Sequence, residues 1–355
     1  MNQSIRVTLR PWTLVIGLLF SVFAGVSSAQ QPAAQGKPAA LPPVESANIM
    51  DVGRAPNATI EAERRAQANQ PGNNAPIWRT VNSDAVNYVS IPDKQAGVLI
   101  QKSGQEWRLI RDGVITVYGA WLLALAICGV LAMFMVRGTI KLHEPMTGRK
   151  IQRFTSVERL THWVMAFSFV GLAITGLLIL YGKYFALPLL GSSIFGVLLL
   201  ISKNIHNFTG PLFTISIVVF FFLFVKRNLP ERGDMQWAMT FGGMLSGKHV
   251  PAGFFNFGEK FWFWFGMVIL GTLVSASGWV LDMIVPIPGI EYWRGTMQIA
   301  NIVHGIGALI MTALAMGHIY IGTIGMQGSI DGMKTGYVDE TWAKEHHEIW
   351  YNKVK

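Results

Sequence analysis

From residue 114 onward the chain alternates between long apolar segments and short polar ones. The apolar segments cover roughly residues 114–136, 160–181, 196–225, 261–284 and 298–326. At about 1.5 Å of helix per residue, each can cross the roughly 30 Å of hydrocarbon in a bilayer. The pattern therefore predicts five transmembrane helices.

The residues that precede the first predicted helix have the sequence features of an exported segment. Residues 1–29 combine two early arginines, an apolar run and a Ser27-Ser28-Ala29 ending, which is the layout of a secretory signal peptide. An uncleaved anchor is the alternative, and it would also export the residues after it. Residues 30–76 are rich in Ala, Pro, Asn and Gln, which predicts a flexible periplasmic spacer.

Residues 77–113 are more apolar than the spacer. Aromatic and branched residues from Trp78 to Trp107, with Gly97 and Gly104 as turn points, indicate short strands. We therefore expect a small periplasmic cap here.

Composition narrows the chemistry that the chain can carry. It is 51% hydrophobic and 14% charged, and its single cysteine, Cys128, lies in an apolar run. One cysteine excludes a disulfide within the chain, and also a zinc or iron–sulfur site built from several thiolates. A bound metal must therefore be held by histidine.

The net charge of +9 is distributed as a topology signal rather than as a nucleic-acid surface. Basic residues concentrate in the loops at 137–153 and 226–248, whereas the opposite loops offer little beyond Lys183 and Arg294. The positive-inside rule makes the basic loops cytoplasmic, so the amino-terminal part lies outside and the carboxyl terminus inside an inner (cell) membrane. The export signal requires the same orientation.

Four of the eight histidines fall within the apolar segments: His162, His206, His304 and His318. Polar groups at membrane depth are costly, so each is a candidate for function. His304 and His318 are fourteen residues apart on one helix, which places them on nearly the same face and about 21 Å apart. His162 begins its helix at the cytoplasmic side and His206 lies toward the outer side. Depth therefore predicts two pairs, His162/His318 and His206/His304.

Two axial imidazoles per iron suit a six-coordinate heme that transfers electrons. No Cys-x-x-Cys-His motif occurs, which favours noncovalent hemes b. The predicted fold is an all-α membrane protein: a bundle of four core helices (137–327) holds two hemes b, beside an extra amino-terminal helix at 114–136 and a small extracytoplasmic segment. Several glycines lie near these histidines in the sequence: Gly171, Gly176, Gly210, Gly305, Gly307 and Gly317. They would leave room for porphyrins between the helices. Close packing of the helices is the alternative role.

The other histidines, His143, His249, His346 and His347, lie in loops or the tail and are expected to be solvated. The tail at 328–355 ends in a charged run from Asp339 that predicts an amphipathic helix at the cytoplasmic interface, anchored by Trp342, Trp350 and Tyr351.

From Phe154 onward the sequence resembles the gamma, cytochrome b subunit of membrane-bound formate dehydrogenases. The resemblance rests on blocks in matching order: ERLTHW at 158–163, NIHNFTGPLF at 204–213, NLPERGDMQW at 228–237, FNFGEK at 255–260, VHGIG at 303–307, GHIY at 317–320, GSIDGMK at 328–334 and WAKEHH at 342–347. In that family the ligand pairs are those reached above from depth.

The resemblance implies an electron-transfer subunit of a formate:quinone oxidoreductase rather than the formate-oxidising subunit. Its partners would be an iron–sulfur (beta) subunit and a molybdopterin (alpha) subunit. It also implies a quinone site at the cytoplasmic end, formed by Asn256, Gly258 and His318; sequence alone gives a polar turn there, for which helix capping is the alternative. The signal peptide, external cap and extra helix depart from the family's four-helix form.

Two other functions remain open from the residues. A diheme b subunit of a hydrogenase or a sulfur-compound reductase would have similar histidine spacing. A membrane transporter that relays protons through its histidines is an alternative of a different class, and it would lack a reducible heme absorbance band.

Overall fold

The computed structural model describes residues 102–243, 250–283 and 294–355. The predicted signal peptide, the spacer and residues 77–101 of the predicted cap lie outside the described residues. The chain divides into two compact units: residues 1–117 with 293–298, and residues 118–292 with 299–355.

In the first unit the structure describes residues 102–117 and 294–298. The helix α1 (Lys102–Leu109) is followed by a π-helical segment, Ile110–Tyr118. The strand expected around Trp107 is wrong, because Trp107 lies within α1. The apolar residues Trp107, Ile110 and Val114 recur every three to four positions, which is helical spacing.

The remaining described chain is almost entirely helical. In order, its elements are α2 (Gly119–Arg137), β1 (Lys150–Gln152), α3 (Ser156–Phe224), α4 (Asp234–Thr240), α5 (Phe257–Phe261), α6 (Gly271–Asp282), α7 (Arg294–Tyr320), α8 (Ser329–Thr335), β2 (Tyr337–Asp339), α9 (Glu340–His346) and α10 (Glu348–Val354). A π-helical segment, Trp262–Leu270, joins α5 to α6, and another, Ile321–Gly325, follows α7. Short 3₁₀ turns cover Val225–Asn228 and Phe241–Gly243.

Four helical stretches in the described chain are long and apolar enough to cross a membrane: Gly104–Arg137, Ser156–Asn228, Phe257–Asp282 and Gly295–Gly325. The second is 73 residues long and contains two of the predicted spans, 160–181 and 196–225. The prediction of a multi-pass, all-α membrane protein is confirmed.

The 69-residue helix α3 is a hairpin of two halves that meet at Gly191. Gly191 has φ 73° and ψ 168°, a backbone conformation that residues with a Cβ rarely adopt. Contacts between the halves pair residues at similar distances on either side of Gly191. Gly182 packs against Phe195, Thr175 lies 2.8 Å from His206, and Glu158 accepts from Arg227. The two predicted spans therefore lie antiparallel, with the bend at a glycine instead of a loop.

The other helices pack onto this hairpin in alternating directions. Residues of the α5–α6 stretch meet α7 in antiparallel order, since Trp262 contacts His318 and Val274 contacts His304. The helix α2 packs along α7 in parallel order, with Gly119 against Leu309 and Phe134 against Tyr320. These relative directions agree with five successive crossings.

Aromatic residues fill the interior of the bundle and also cover its outside. Phe213, Phe224, Phe263 and Met267 are buried in one apolar cluster. By contrast, Phe208 is 76% exposed and other large apolar side chains along the helices are also exposed. Such a surface suits lipid, in which an outward-facing apolar side chain is not penalised.

A compact structure that we call the polar cap closes one end of the bundle. It consists of residues 139–155, 250–256 and 328–355. In it β1 pairs antiparallel with β2, with Ile151 opposite Val338. The carboxylate of Asp339 accepts from the backbone of Thr147 and Gly148, which fixes the loop that precedes β1.

The tail is an integral part of this cap. Trp342, Trp350 and Tyr351 are all at least 93% buried among other residues of the cap, so their prediction as membrane-interface anchors is wrong. The expected single helix is divided into α9 and α10 by His347, which has φ −140° and ψ 49°. The amphipathic pattern was real, but its apolar face meets protein instead of lipid.

Arg153 lies at the centre of the polar cap. Its guanidinium donates to the Phe254 carbonyl at 2.8 Å. The same group packs over five aromatic rings, those of Phe154, Phe254, Phe255, Trp342 and Trp350. Burial lowers the pKa of Arg153 to about 10, with Glu259 opposing that shift. Arg153 thus remains cationic at neutral pH, and its charge is balanced by ring faces and a nearby carboxylate.

Candidate functional site

The structure brings the four intramembrane histidines together as the two predicted pairs. The ring centres of His206 and His304 are 6.0 Å apart, and those of His162 and His318 are 6.4 Å apart. The halves of α3 supply His162 and His206, and α7 supplies both partners. The fold therefore converts four positions that are distant in sequence into two facing pairs.

These separations fit a metal held between each pair. Because a metal–imidazole bond is about 2 Å long and the ring centre lies roughly 1.2 Å beyond the nitrogen, two axial imidazoles have centres about 6.4 Å apart. A direct hydrogen bond between two imidazoles would bring their rings closer to each other. Among the described residues no group of three or more histidine, cysteine or acidic side chains is placed to hold a metal ion.

The pair His206/His304 is oriented by hydrogen bonds to its Nδ1 atoms. His304 Nδ1 lies 2.9 Å from the Val274 carbonyl oxygen and 3.2 Å from the Ser277 hydroxyl. His206 Nδ1 lies 2.8 Å from the Thr175 hydroxyl. A carbonyl can only accept, so His304 carries its proton on Nδ1 and leaves Nε2 free to bind a metal.

The pair His162/His318 is positioned mainly by aromatic packing. Trp262 stacks on His318 with ring centres 5.0 Å apart and planes at 15°, and Phe220 and Trp163 lie against His162. His162 Nδ1 is buried and has no hydrogen-bond partner in the described part of the chain. The two pairs therefore differ in how their rings are held.

Glycines near the ligands have mixed roles. A Cβ on Gly176 would lie 3.2 Å from His206 Cε1, and Gly171, Gly210 and Gly317 face open space. Gly307 instead packs closely against Val274. Gly278, which the sequence pattern did not single out, lies against His304 as Gly176 lies against His206. Small residues thus border both rings of this pair.

The predicted quinone residue Asn256 caps the start of helix α5 in a capping box. Its Oδ1 accepts from the Glu259 backbone N–H at 3.0 Å, and the Glu259 carboxylate accepts from the Asn256 N–H at 2.8 Å. The capping role that the sequence left as an alternative is therefore present. The side-chain NH₂ of Asn256 takes no part in this box and is a separate donor.

Two tryptophans connect the other quinone candidates. A Cβ on Gly258 would lie 2.8 Å from the Trp237 ring, so Gly258 lets that ring pack directly over the turn. Trp262, one helical turn after Gly258, reaches His318. Sequence reasoning missed both tryptophans, although the i, i+4 spacing of Gly258 and Trp262 places them on one helix face.

Lys260 holds the segment that carries Trp237. Its ammonium group, 4% exposed, lies 3.2 Å from Glu231 and 3.0 Å from Asp234. These carboxylates belong to the loop and first turn of α4, which also contains Trp237. The turn at 256–260 is thus held by capping at one end and, at the other, by the buried Lys260 ammonium group and its two carboxylate partners.

The remaining histidines divide into exposed and buried residues. His143 is exposed as expected, with 71% of its side chain accessible, and His249 lies outside the described residues. The expectation of a solvated His347 is wrong, because this residue is 1% exposed and its Nδ1 lies 2.9 Å from the Gly253 carbonyl oxygen. Burial, followed by the charge of Arg153, lowers the pKa of His347 well below its ordinary value.

A multi-pass helical bundle with facing intramembrane histidines defines the class of membrane-embedded b-type cytochromes. Residues 153–336 match the prokaryotic cytochrome b561 family, and the chain belongs to that family. The family implies heme b as the cofactor.

Curated relatives share most of their length with this chain. The cytochrome b556(fdo) subunit of formate dehydrogenase from Escherichia coli K12 is 29% identical over 207 residues, which cover 58% of this chain and 93% of the relative. The formate dehydrogenase cytochrome b556 subunit of Haemophilus influenzae is 28% identical over 217 residues, covering 58% and 83%. The nitrate-inducible b556(Fdn) subunit of E. coli K12 is 24% identical over 225 residues, covering 58% and 93%.

Proposed function

We propose that this chain is the membrane cytochrome b subunit of a formate dehydrogenase complex. It receives electrons from a periplasmic iron–sulfur subunit, holds two hemes b and delivers the electrons to quinone at the cytoplasmic side. The observation that carries the proposal is the presence of two facing histidine pairs at two levels of one bundle. The named relatives, which are formate dehydrogenase cytochrome subunits, support the choice of complex.

In this proposal His206 and His304 supply the axial imidazoles of the outer heme, and His162 and His318 those of the inner one. A heme held by each of these pairs would supply a one-electron couple. The protein fixes the spacing of the two pairs through α7, which carries one histidine of each. Formate oxidation belongs to a separate molybdopterin subunit.

The proposed quinone site lies at the polar-cap end of the bundle, where Asn256, Gly258 and His318 are joined through Trp262. The NH₂ group of Asn256 can donate to a quinone carbonyl while its Oδ1 caps α5. In this proposal the protons reach the quinone through the polar-cap end of the bundle. Quinone reduction there consumes protons from the cytoplasm, which together with inward electron flow charges the membrane.

Heme content tests the central proposal. The purified chain should contain two hemes b, and extraction that gives a ratio near one would refute the paired assignment. His304→Ala should remove one heme and leave the absorbance of the heme at His162/His318 in place. His143→Ala, at an exposed position, is the matched control and should keep both hemes.

Protease accessibility tests the orientation. With the amino-terminal segment in the periplasm, protease added to intact spheroplasts should cut between residues 31 and 76. Lys353, in the tail, should be reached only after the membrane is opened. The reverse pattern would mean that the topology is inverted.

A further inference from the structure

The two histidine pairs differ in a way that bears on the electronic properties of a bound iron. At His206/His304 both rings have a partner for Nδ1, whereas His162 Nδ1 is buried without a partner in the described chain. A ring that donates its Nδ1–H to an acceptor is oriented by that bond and becomes a more basic ligand through Nε2. The difference is therefore chemical as well as structural.

The proton positions around Thr175 follow from its surroundings. Its hydroxyl lies 2.7 Å from the Gly171 carbonyl oxygen, one turn earlier on the same helix. Since that carbonyl can only accept, the hydroxyl proton points to Gly171 and the hydroxyl oxygen accepts from His206 Nδ1. The Thr175 hydroxyl, which donates to the Gly171 carbonyl, thus serves as an acceptor for the Nδ1–H of His206.

Ser277 makes the same arrangement on the other side of the pair. Its hydroxyl donates to the Leu273 carbonyl at 2.6 Å and lies 3.2 Å from His304 Nδ1, beside the Val274 carbonyl. Both imidazoles of this pair therefore face acceptors. With Nδ1 protonated on each ring, both Nε2 lone pairs are available to one iron.

More basic axial ligands stabilise ferric over ferrous iron and so lower the reduction potential of the couple. We propose that Thr175 and Ser277 are positioning residues that lower the reduction potential of the heme at His206/His304. This inference rests on the proposed function, because it requires a heme at that pair. Its consequence is that electrons entering at His206/His304 move downhill toward His162/His318.

A redox titration followed by absorbance tests the inference on the purified chain with its hemes bound. Thr175→Val removes the hydroxyl at nearly constant volume, and Thr175→Ser keeps it as the matched control. The valine variant should titrate at a higher potential in the component that His304→Ala removes, and the other component should be unchanged. The serine variant should titrate like the parent.

Heme content separates the possible failures. Two hemes per chain with an unshifted potential in Thr175→Val would overturn the inference and leave the proposed function intact. A parent protein with fewer than two hemes would instead overturn the proposed function. If Thr175→Val loses its heme, Ser277→Ala replaces it in the test. The Val274 carbonyl remains beside His304, as the Leu172 carbonyl remains beside His206, so an upward shift is expected from either variant, and no shift would overturn the inference.

Discussion

The membrane bundle and the polar cap both contain polar side chains in their interior, but these side chains have different surroundings. In the cap, buried polar groups meet one another or the aromatic rings around them, as Arg153 meets Phe254 and Trp342. In the bundle, the four histidines face each other across gaps of about the width of a metal with its two bonds. Polar groups that pack against one another and against aromatic rings indicate architecture, whereas paired histidines that face a gap indicate a ligand.

Removing Trp342 should have the largest effect, and it tests whether the two regions are independent. Its ring is 4% exposed and contacts both Arg153 and His347, so Trp342→Ala should lower the free energy of unfolding of the cap by about 3–5 kcal/mol. Hydrogen exchange of residues 337–351 should accelerate while the heme absorbance persists. Tyr337→Ala, at a residue that is 44% exposed, should change little. Loss of heme in step with cap opening would show that the bundle depends on the cap.

The bend of α3 offers the next largest effect, this time within the bundle. Gly191→Ala should cost about 1–3 kcal/mol, because the glycine has a positive φ although no atom would clash with a Cβ there. Gly196→Ala is the control, since it also meets open space but lies in ordinary helix. Thermal unfolding in lipid bicelles should separate the two variants. Equal stability would mean that α3 can bend without a glycine.

The stability of the cap should depend on pH through His347. Its pKa in the fold is well below that of an unfolded histidine, near 6.5, because of burial and the charge of Arg153. The unfolded tail therefore takes up a proton first as the pH falls, so stability is complete above about pH 6.5 and declines below it by up to about 1.4 kcal/mol per pH unit.

Hydrogen exchange of the tail between pH 7.5 and 5.5, corrected for intrinsic rates, measures this dependence. His347→Gln should flatten it, whereas His143→Gln should not. The groups that face His347 are Arg153, Glu259, His346 and the Gly253 carbonyl. A dependence that survives His347→Gln would assign the effect to another group.

The smallest expected effect lies where the cap and the bundle meet, at Asn256. If its NH₂ binds quinone, Asn256→Asp should slow heme reoxidation by quinone, because aspartate caps the helix but lacks the donor. One lost hydrogen bond of about 0.5–1.5 kcal/mol corresponds to roughly 2- to 12-fold weaker binding. Asn256→Ala loses the cap as well. Parent-like reoxidation in the aspartate variant over a range of quinone concentrations would limit Asn256 to capping.

The spans, and the proximity of His162 to His318 and of His206 to His304, could be predicted from the sequence because they follow from apolar length and helix depth. Their role as heme ligands stays a prediction. The sequence was not sufficient for the tail, since an apolar stripe with Trp342 and Trp350 suits a lipid interface and a protein groove equally well. The residues that bury this stripe, such as Arg153, are almost 200 positions away. Thr175 and Trp262 were missed for another reason, because their contacts with His206 and His318 depend on how the helices are rotated. The bend at Gly191 was not predicted because the apolar sequence on both sides of it is typical of a helix.

The helix α7 carries one histidine of each pair and has no break between them, since Arg294–Tyr320 is continuous. Inserting or deleting a single residue between positions 304 and 318 would turn one imidazole by about 100° relative to the other, away from its partner on α3. Length changes in this interval should thus separate the histidines of one pair. If each pair holds a heme iron as proposed, this fixed interval along one helix also sets the distance over which electrons pass from one iron to the other.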